Sequence, residues 1–392
     1  MNGIPDIGSE RNVIAMKRIL GCALLLLTLC GCGFLRENTY VAVTPHDEDY
    51  GITVDSNVLT VNSYLSLKNA LINMVEDGVK EGVIRAEAYG GNLPEDLSQA
   101  VEEVSRQTPL GAYAVSSMTY DYSKIVSYYE IHVNTTFRRS LDEIQSVVYV
   151  TDLDALELQL RETMKNYETK LVVRAGDYES FDLENMITGI YEDEPAQILE
   201  KPSCSMEQYP DSGTQRILEI DLSYEHSTQE LLDCRDTLQP QIEQLARIYG
   251  SSDQPLTNVR RFYQRLGRDA VLEPQDEGTH ALTNSVYGVL VEGHATSYGF
   301  AQAFRVMMDA CEIPCQLITG QRDGMLHYWC LVQISGSYYY IDPSTAAGDQ
   351  GEEYYLMGNI QLEERNYYMW NAVAYPVVEL PEELIPPEEE TE

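Results

Sequence analysis

The sequence predicts an α+β protein in which two tandem α+β modules precede a C-terminal domain. Several stretches carry apolar residues at helical spacing, and strand-like runs lie between them. One order of helices and strands also occurs twice, at an offset of about 86 residues. Apolar residues make up 44% of the 392-residue chain and charged residues 23%, which is typical of a folded protein and excludes a wholly disordered one.

The chain is strongly acidic. It has 63 Asp and Glu residues against 26 Lys and Arg residues, and its formal net charge is −37. An electric field of that sign repels nucleic acid and anionic lipid, so nucleic acid is excluded as a partner. The charge favours cationic partners but does not identify a function.

Residues 1–32 are predicted to be a lipoprotein signal segment, with Met16 as an alternative start. Met16 is followed by the basic pair Lys17-Arg18 and then by a mainly apolar run of 11 residues at 19–29. A run of that length is too short to span a bilayer as a helix. It ends in the residues LCGC at 29–32, which resemble a bacterial lipobox.

Cys32 is the predicted site of lipidation. It fits better than Cys30 because the small residue Gly31 precedes it, whereas bulky Leu29 precedes Cys30. We therefore expect an extracytoplasmic protein anchored to the cell membrane through Cys32, with residues 33–55 as a tether. A plain secretory signal is the alternative.

Residues 56–150 form the first predicted module. Its elements, in order, are a helix at 66–80, a strand at 83–89, a helix from Asp96 to the residue before Pro109, strands at 114–120 and 128–137, and a helix from Ser140.

Residues 151–250 form the second predicted module, in the same order. Its elements are a helix at 153–167, a strand at 170–175, a helix from Asp182 to the residue before Pro195, strands near Ile198 and at 216–224, and a helix at 228–249. Asp96 and Asp182 are 86 residues apart, as are Pro109 and Pro195, which indicates a duplication. Chance similarity is the alternative. We expect the modules to bind a partner or to act as spacers.

Residues 251–375 form the predicted C-terminal domain, which carries the chemical signal. One amphipathic helix is predicted over 258–272, and another begins near Thr296-Ser297 and ends before Pro314. Apolar residues at i, i+4, i+7, i+8 and i+11 from Phe300 predict that one face of the second helix is buried. The hydroxyls at its start can cap the first turn.

A β-hairpin is predicted from 327–334 and 337–341, with Ser335-Gly336 as a two-residue turn. That register makes Asp342 the diagonal neighbour of His327 on one face, about 7–8 Å away between Cα atoms. A carboxylate so placed can hold an imidazole in one tautomer.

Three motifs in this domain resemble those of the transglutaminase-like superfamily. Residues 293–301 read GHATSYGFA, residues 327–329 read HYW and residues 342–344 read DPS. Family members show a helix start containing C-x-G-[YF]-A, then an H-x-W strand, then a D-P-[ST] strand. The resemblance covers roughly residues 255–375 and implies a papain-like core. It also implies that Ser297 replaces the nucleophilic Cys of the family, with His327 and Asp342 as its helpers.

The serine changes the chemistry that the resemblance implies. A Cys at a helix N-terminus beside a His is readily a thiolate. A Ser hydroxyl is not ionised in this way, so His327 would have to remove the proton of Ser297 during the attack. In a site shaped for sulfur, a misplacement of about 1 Å can lower the rate on the order of 10²-fold.

Three functional hypotheses follow. The first is a surface-anchored lipoprotein whose transglutaminase-like domain is a pseudoenzyme that binds peptide, protein or polymer at the cell surface. The second is an active serine hydrolase or peptidase that uses Ser297, His327 and Asp342. The third is a purely structural surface protein. The residues expected to contact a ligand are Trp329 and Thr296.

No cofactor or metal site is predicted. The spacing Cys311-x-x-x-Cys315 lacks a second pair of ligands at zinc spacing. Five Cys residues lie outside the signal segment, and outside the cell an odd number leaves at least one thiol unpaired. Residues 376–392 are rich in Glu and Pro and are predicted to be a disordered acidic tail.

Overall fold

The computed structural model describes residues 53–55, 58–250, 254–274, 282–346, 351–381 and 384. The predicted signal segment with Cys32 lies outside the described residues, as does most of the predicted tether. Residues 53–55, the end of that tether, form a strand of the first sheet. Within these ranges, none of the helices has both the length and the apolar character that crossing a membrane requires.

Helices and strands are mixed along the described chain, which confirms the α+β class. The helices are α1 (Tyr64–Glu76), α2 (Leu93–Glu102), α3 (Pro109–Ala114), α4 (Leu141–Gln145), α5 (Leu153–Lys165), α6 (Leu183–Asp193), α7 (Thr228–Tyr249), α8 (Pro255–Asp269), α9 (Ser297–Ala310) and α10 (Asn359–Glu364). The strands are β1 (Thr53–Asp55), β2 (Val58–Val61), β3 (Glu81–Glu87), β4 (Val115–Ile125), β5 (Tyr128–Phe137), β6 (Val148–Val150), β7 (Lys170–Ala175), β8 (Ser203–Tyr209), β9 (Arg216–Ser223), β10 (Val271–Leu272), β11 (His294–Ala295), β12 (Cys315–Arg322), β13 (Met325–Ile334), β14 (Ser337–Ile341) and β15 (Tyr367–Met369).

The first sheet has the strand order β1-β2-β3-β5-β4. Strands β2 and β3 are parallel, with α1 between them in the chain, whereas β3, β5 and β4 pair antiparallel. Leu67 and Leu71 of α1 and Ile84 and Ile131 of the sheet are all fully buried in one core. The helix thus buries its apolar stripe against one face of the sheet.

The second sheet repeats this arrangement in the order β6-β7-β9-β8. Strands β6 and β7 are parallel around α5, and β7, β9 and β8 pair antiparallel. Helices α1 and α5, and strands β3 and β7, start 89 residues apart. The two sheets therefore share one arrangement of elements, but the predicted landmarks are not equivalent: Asp182 caps α6, whereas Asp96 lies inside α2.

The third sheet is antiparallel, with the order β14-β13-β12-β15. Helix α9 packs on one of its faces, where Phe300 and Phe304 share a core with Cys330 and Val332. The opposite face forms a second core around Trp329, together with Ile318, Leu331, Tyr340 and Tyr367. Strand β13 is therefore buried on both faces, and it carries His327 of the candidate site.

One predicted strand and the end of one predicted helix were wrong. Ile198 is fully buried but is not in a strand. Its N–H donates to the Glu194 carbonyl over 2.8 Å and closes a turn, and the strand of that region is β8. Val271 is not helical but belongs to β10 and is 56% exposed. Helix α8 ends before it because Ala270 is extended.

Packing also continues past the predicted domain end at residue 375. Val378 is only 4% exposed. Its N–H donates to Asn359 Oδ1 over 2.6 Å, and its carbonyl accepts from the Asn359 N–H over 2.9 Å. The first residues of the predicted tail therefore pack against the domain.

Candidate functional site

The β13–β14 hairpin determines where two of the three predicted catalytic residues lie. Ser335 and Gly336 both have positive φ angles, 52° and 88°, as a two-residue hairpin turn with matching twist requires. Ile334 therefore pairs with Ser337. The predicted register is confirmed.

His327 and Asp342 are directly hydrogen-bonded. His327 Nε2 lies 2.7 Å from Asp342 Oδ2. The Asp342 side chain is fully buried, and the His327 side chain is 12% exposed. Because an ionised carboxylate can only accept, a neutral His327 ring carries its proton on Nε2, which leaves Nδ1 as the basic atom.

Asp342 accepts hydrogen bonds from several donors besides His327. Ser344 donates to Oδ1 from its N–H over 3.0 Å and from its hydroxyl over 2.7 Å. The Tyr367 hydroxyl donates to Oδ2 over 2.5 Å, and Arg322 Nη1 lies 3.5 Å from the same oxygen. Burial alone would raise the pKa of Asp342, but the charge of His327 and the hydrogen bonds from His327, Tyr367 and Ser344 outweigh it, and the pKa is lowered.

Aromatic rings enclose the imidazole. The Trp329 ring stacks near it at 6.3 Å and 26°, and the Tyr367 ring meets it edge-on at 5.9 Å. Trp329, which was predicted to contact a ligand, is fully buried. Its place in the core, two residues from His327 on the same strand face, makes it a support for the imidazole.

Thr296 is the N-cap of α9. Its hydroxyl accepts from the Gly299 N–H over 3.4 Å and donates to Asn284 Oδ1 over 2.6 Å. The residue, which was also predicted to contact a ligand, is fully buried. A Cβ at Gly299 would lie 2.6 Å from the Thr283 carbonyl oxygen, so only glycine permits this close approach.

Ser297 is the first residue of α9 and is 4% exposed. The start of that helix lies against β13. The Tyr298 ring is 4.8 Å from the Tyr328 ring, and Cys330 Sγ donates to the Ala301 carbonyl over 3.4 Å. The partial positive charge at a helix N-terminus favours a negative charge at the position of Ser297.

Of the three predicted catalytic residues, His327 and Asp342 are in direct contact, and Ser297 lies on a neighbouring element. His327 and Trp329 share one face of β13, because side chains alternate along a strand and Tyr328 between them faces α9. His327 is joined to Asp342 by a hydrogen bond. Ser297 is on the helix that packs against their strand.

The five cysteines that the structure describes are free thiols. Cys330 faces α9 from the middle of β13 and is fully buried. Burial, and then its interaction with Cys315, raise the pKa of Cys330 well above its ordinary value. It is therefore held as a thiol on the strand face opposite His327.

Two residues that contact the Asp342 carboxylate, Tyr367 and Arg322, were not predicted from the sequence. Tyr367 reaches Asp342 from β15, an edge strand that pairs with β12 through Arg322. Strand β15 has only three residues, so its sequence is too short for an alternating pattern to predict the strand.

Across the described ranges, no cluster of three or more His, Cys, Asp or Glu side chains could hold a metal ion.

No known protein family and no curated protein matches the sequence. Parts of solved structures do resemble it. A TGase aligns at 12% identity and a TM-score of 0.23, over 50% of this chain and 59% of that one. A candidate cysteine protease from Cytophaga hutchinsonii aligns at 14% identity and a TM-score of 0.23, over 36% and 62% of the two chains.

A third structure, a candidate protease from Parabacteroides distasonis, aligns at 10% identity and a TM-score of 0.20, over 67% of this chain and 40% of that one. The present chain therefore spans less than two thirds of each of the three structures. TM-scores of this size do not establish a common fold.

Proposed function

We propose that the C-terminal domain is a transglutaminase-like pseudoenzyme that binds peptide without cleaving or cross-linking it. One observation carries the proposal: an intact His327–Asp342 pair accompanies a hydroxyl residue, Ser297, at the start of the helix that packs against the strand of His327. The pair keeps the geometry that orients a general base. The thiol that such a base would activate is absent from position 297.

The chemistry of the pair explains why the thiol matters. Nδ1 of His327 is the ring atom able to take a proton, and ionised Asp342 stabilises the resulting imidazolium. Imidazolium and helix N-terminus together favour a thiolate. A serine gains much less, because its hydroxyl has to lose its proton during the attack itself.

A fluorophosphonate probe tests the proposal. We expect no labelling of Ser297 in the full chain, because the hydroxyl is nearly buried and is not activated. The measurement is mass spectrometry of the labelled chain, with Ser297→Ala as the matched control for background labelling. Labelling of Ser297 that is lost in His327→Ala would contradict the proposal and assign the active serine hydrolase instead.

We further propose that the chain is a lipoprotein anchored through Cys32. The support is the basic and apolar run before LCGC at 29–32 and the small residue Gly31. Metabolic labelling with an alkyne fatty acid should mark the full chain, and Cys32→Ala should abolish the label while Cys30→Ala retains it. Equal labelling of the two variants would overturn the assignment.

A further inference from the structure

A cavity of about 670 Å³ lies between the second module and the start of α9. The end of α6 contributes Tyr191 and Glu192, and the C-terminal domain contributes Tyr298 and Tyr328. Cavities of this size bind small molecules or single side chains of a partner. It is distinct from the His327–Asp342 pair, because Tyr328 faces away from His327 on β13.

Aromatic rings form one wall of the cavity. Tyr191 and Tyr298 stack at 5.9 Å and 15°, and Tyr328 meets Tyr298 edge-on at 4.8 Å. Tyr224 also lines the cavity, and its buried hydroxyl has no hydrogen-bond partner among the residues described. Ring faces of this kind attract organic cations and pack well against aliphatic chains.

The charged groups lining the cavity are mainly acidic: Glu192, Glu200 and Glu225 against Lys201. Lys201 Nζ is bound to Glu184 Oε1 at 2.6 Å, which leaves its charge compensated.

Two of these carboxylates differ in their partners. Glu200 Oε2 lies 2.6 Å from Nδ1 of His226. The Glu192 carboxylate has no hydrogen bond or ion pair with any described residue, and Arg305 binds the Glu192 backbone carbonyl instead. Burial raises the pKa of Glu192, although the nearby charges of Arg305 and Lys201 act to lower it.

We propose that this cavity binds one positively charged side chain, Lys or Arg, of a peptide. The rings of Tyr298 and Tyr328 pack against its aliphatic stem, and Glu192 pairs with its charge. The inference rests on the proposed peptide binding but not on the inertness of Ser297. The net charge of −37 adds a long-range attraction for such a ligand.

Isothermal titration calorimetry with two matched peptides tests the site. The full chain should bind acetyl-Gly-Lys-Gly-amide and should bind the norleucine counterpart about tenfold more weakly, because norleucine keeps the stem and lacks the charge. Glu192→Gln should weaken the lysine peptide by a similar factor and leave the norleucine peptide unchanged.

Asp309→Asn is the matched control variant. Its carboxylate is also close to Arg305, but it does not line the cavity. Lysine-peptide binding should be unchanged in this variant. Circular dichroism of both variants checks that each is folded.

Three results would overturn the site: no heat of binding at millimolar peptide, equal affinity for both peptides, or unchanged affinity in Glu192→Gln. Binding of a neutral trisaccharide that is unaffected by Glu192→Gln and competes with the peptide would also overturn it. Fluorophosphonate labelling of Ser297 together with Glu192-dependent binding would refute only the pseudoenzyme proposal.

Discussion

Asp342 is fully buried and yet has a lowered pKa, because four side chains and one backbone N–H surround its carboxylate with donors. A buried ion is tolerated only where its lone pairs are satisfied in this way. Alternation and turn chemistry predicted its contact with His327. The contribution of Tyr367 was not predictable, because it depends on which strand lies at the edge of the sheet.

Removing the Tyr367 hydroxyl should destabilise the domain. Tyr367→Phe keeps the ring but leaves Oδ2 of Asp342 without one short hydrogen bond, at a cost of about 1–3 kcal/mol. Tyr368→Phe is the control, since Tyr368 is 64% exposed and should change the free energy of unfolding by less than about 0.5 kcal/mol. Urea denaturation of both variants measures the difference; equal effects would contradict this role.

The lowered pKa of Asp342 predicts a pH dependence. Its stabilising contribution is fully present above the unfolded-state pKa, about 3.9, and is lost as the pH falls through the lower folded-state pKa. Asp342→Asn should therefore be less stable than the wild type at pH 6, and the gap should shrink below about pH 4. A gap in the free energy of unfolding that is independent of pH between 6 and 3 would refute the assignment.

The elements that were predicted best from the sequence are those whose turn, cap or apolar pattern lies within a short stretch of neighbouring residues. The hairpin follows from Ser335-Gly336, and α9 follows from its apolar stripe and its Thr296 cap. Strand β8 was misplaced because Ile198 is apolar and buried without being in a strand. Burial alone does not distinguish a packed turn from a strand in a short segment.

The approach of α9 to the preceding loop depends on Gly299. Gly299→Ala places a Cβ 2.6 Å from the Thr283 carbonyl oxygen and should cost about 1–3 kcal/mol. Gly189 in α6 is the matched helical glycine, because nothing lies within 4 Å of its Cβ position. Gly189→Ala should stabilise by up to about 1 kcal/mol. Thermal unfolding compares the two, and a neutral Gly299→Ala would contradict the close packing.

At the scale of the whole molecule, a buried carboxylate links the two modules. Glu219 in β9 is 3% exposed. It binds Arg139 of the first module at 2.5 Å and Lys170 of the second at 2.6 Å. The repeat itself was predictable from the order of elements, but this contact was not, because it joins residues 80 positions apart in the chain.

Breaking that link should destabilise the pair of modules. Glu219→Gln leaves the charges of Arg139 and Lys170 partly uncompensated and should lower the free energy of unfolding by about 2–3 kcal/mol. This is less than expected for a fully buried ion pair, because Lys170 is half exposed. Asp221→Asn on the same strand is the control, with less than about 1 kcal/mol expected for its exposed pair with Lys170. The free energy of unfolding in guanidinium measures both; similar losses would contradict the link.

The most direct test of the central claim places a cysteine at position 297. The rate of alkylation of position 297 by iodoacetamide at pH 7 is measured in Ser297→Cys and in the same variant carrying His327→Ala. We expect the thiol to react at least about tenfold faster when the His327–Asp342 pair is intact, because the imidazole favours the thiolate. Equal rates would mean that the pair does not act on position 297, and the account of a lapsed thiol site would be contradicted.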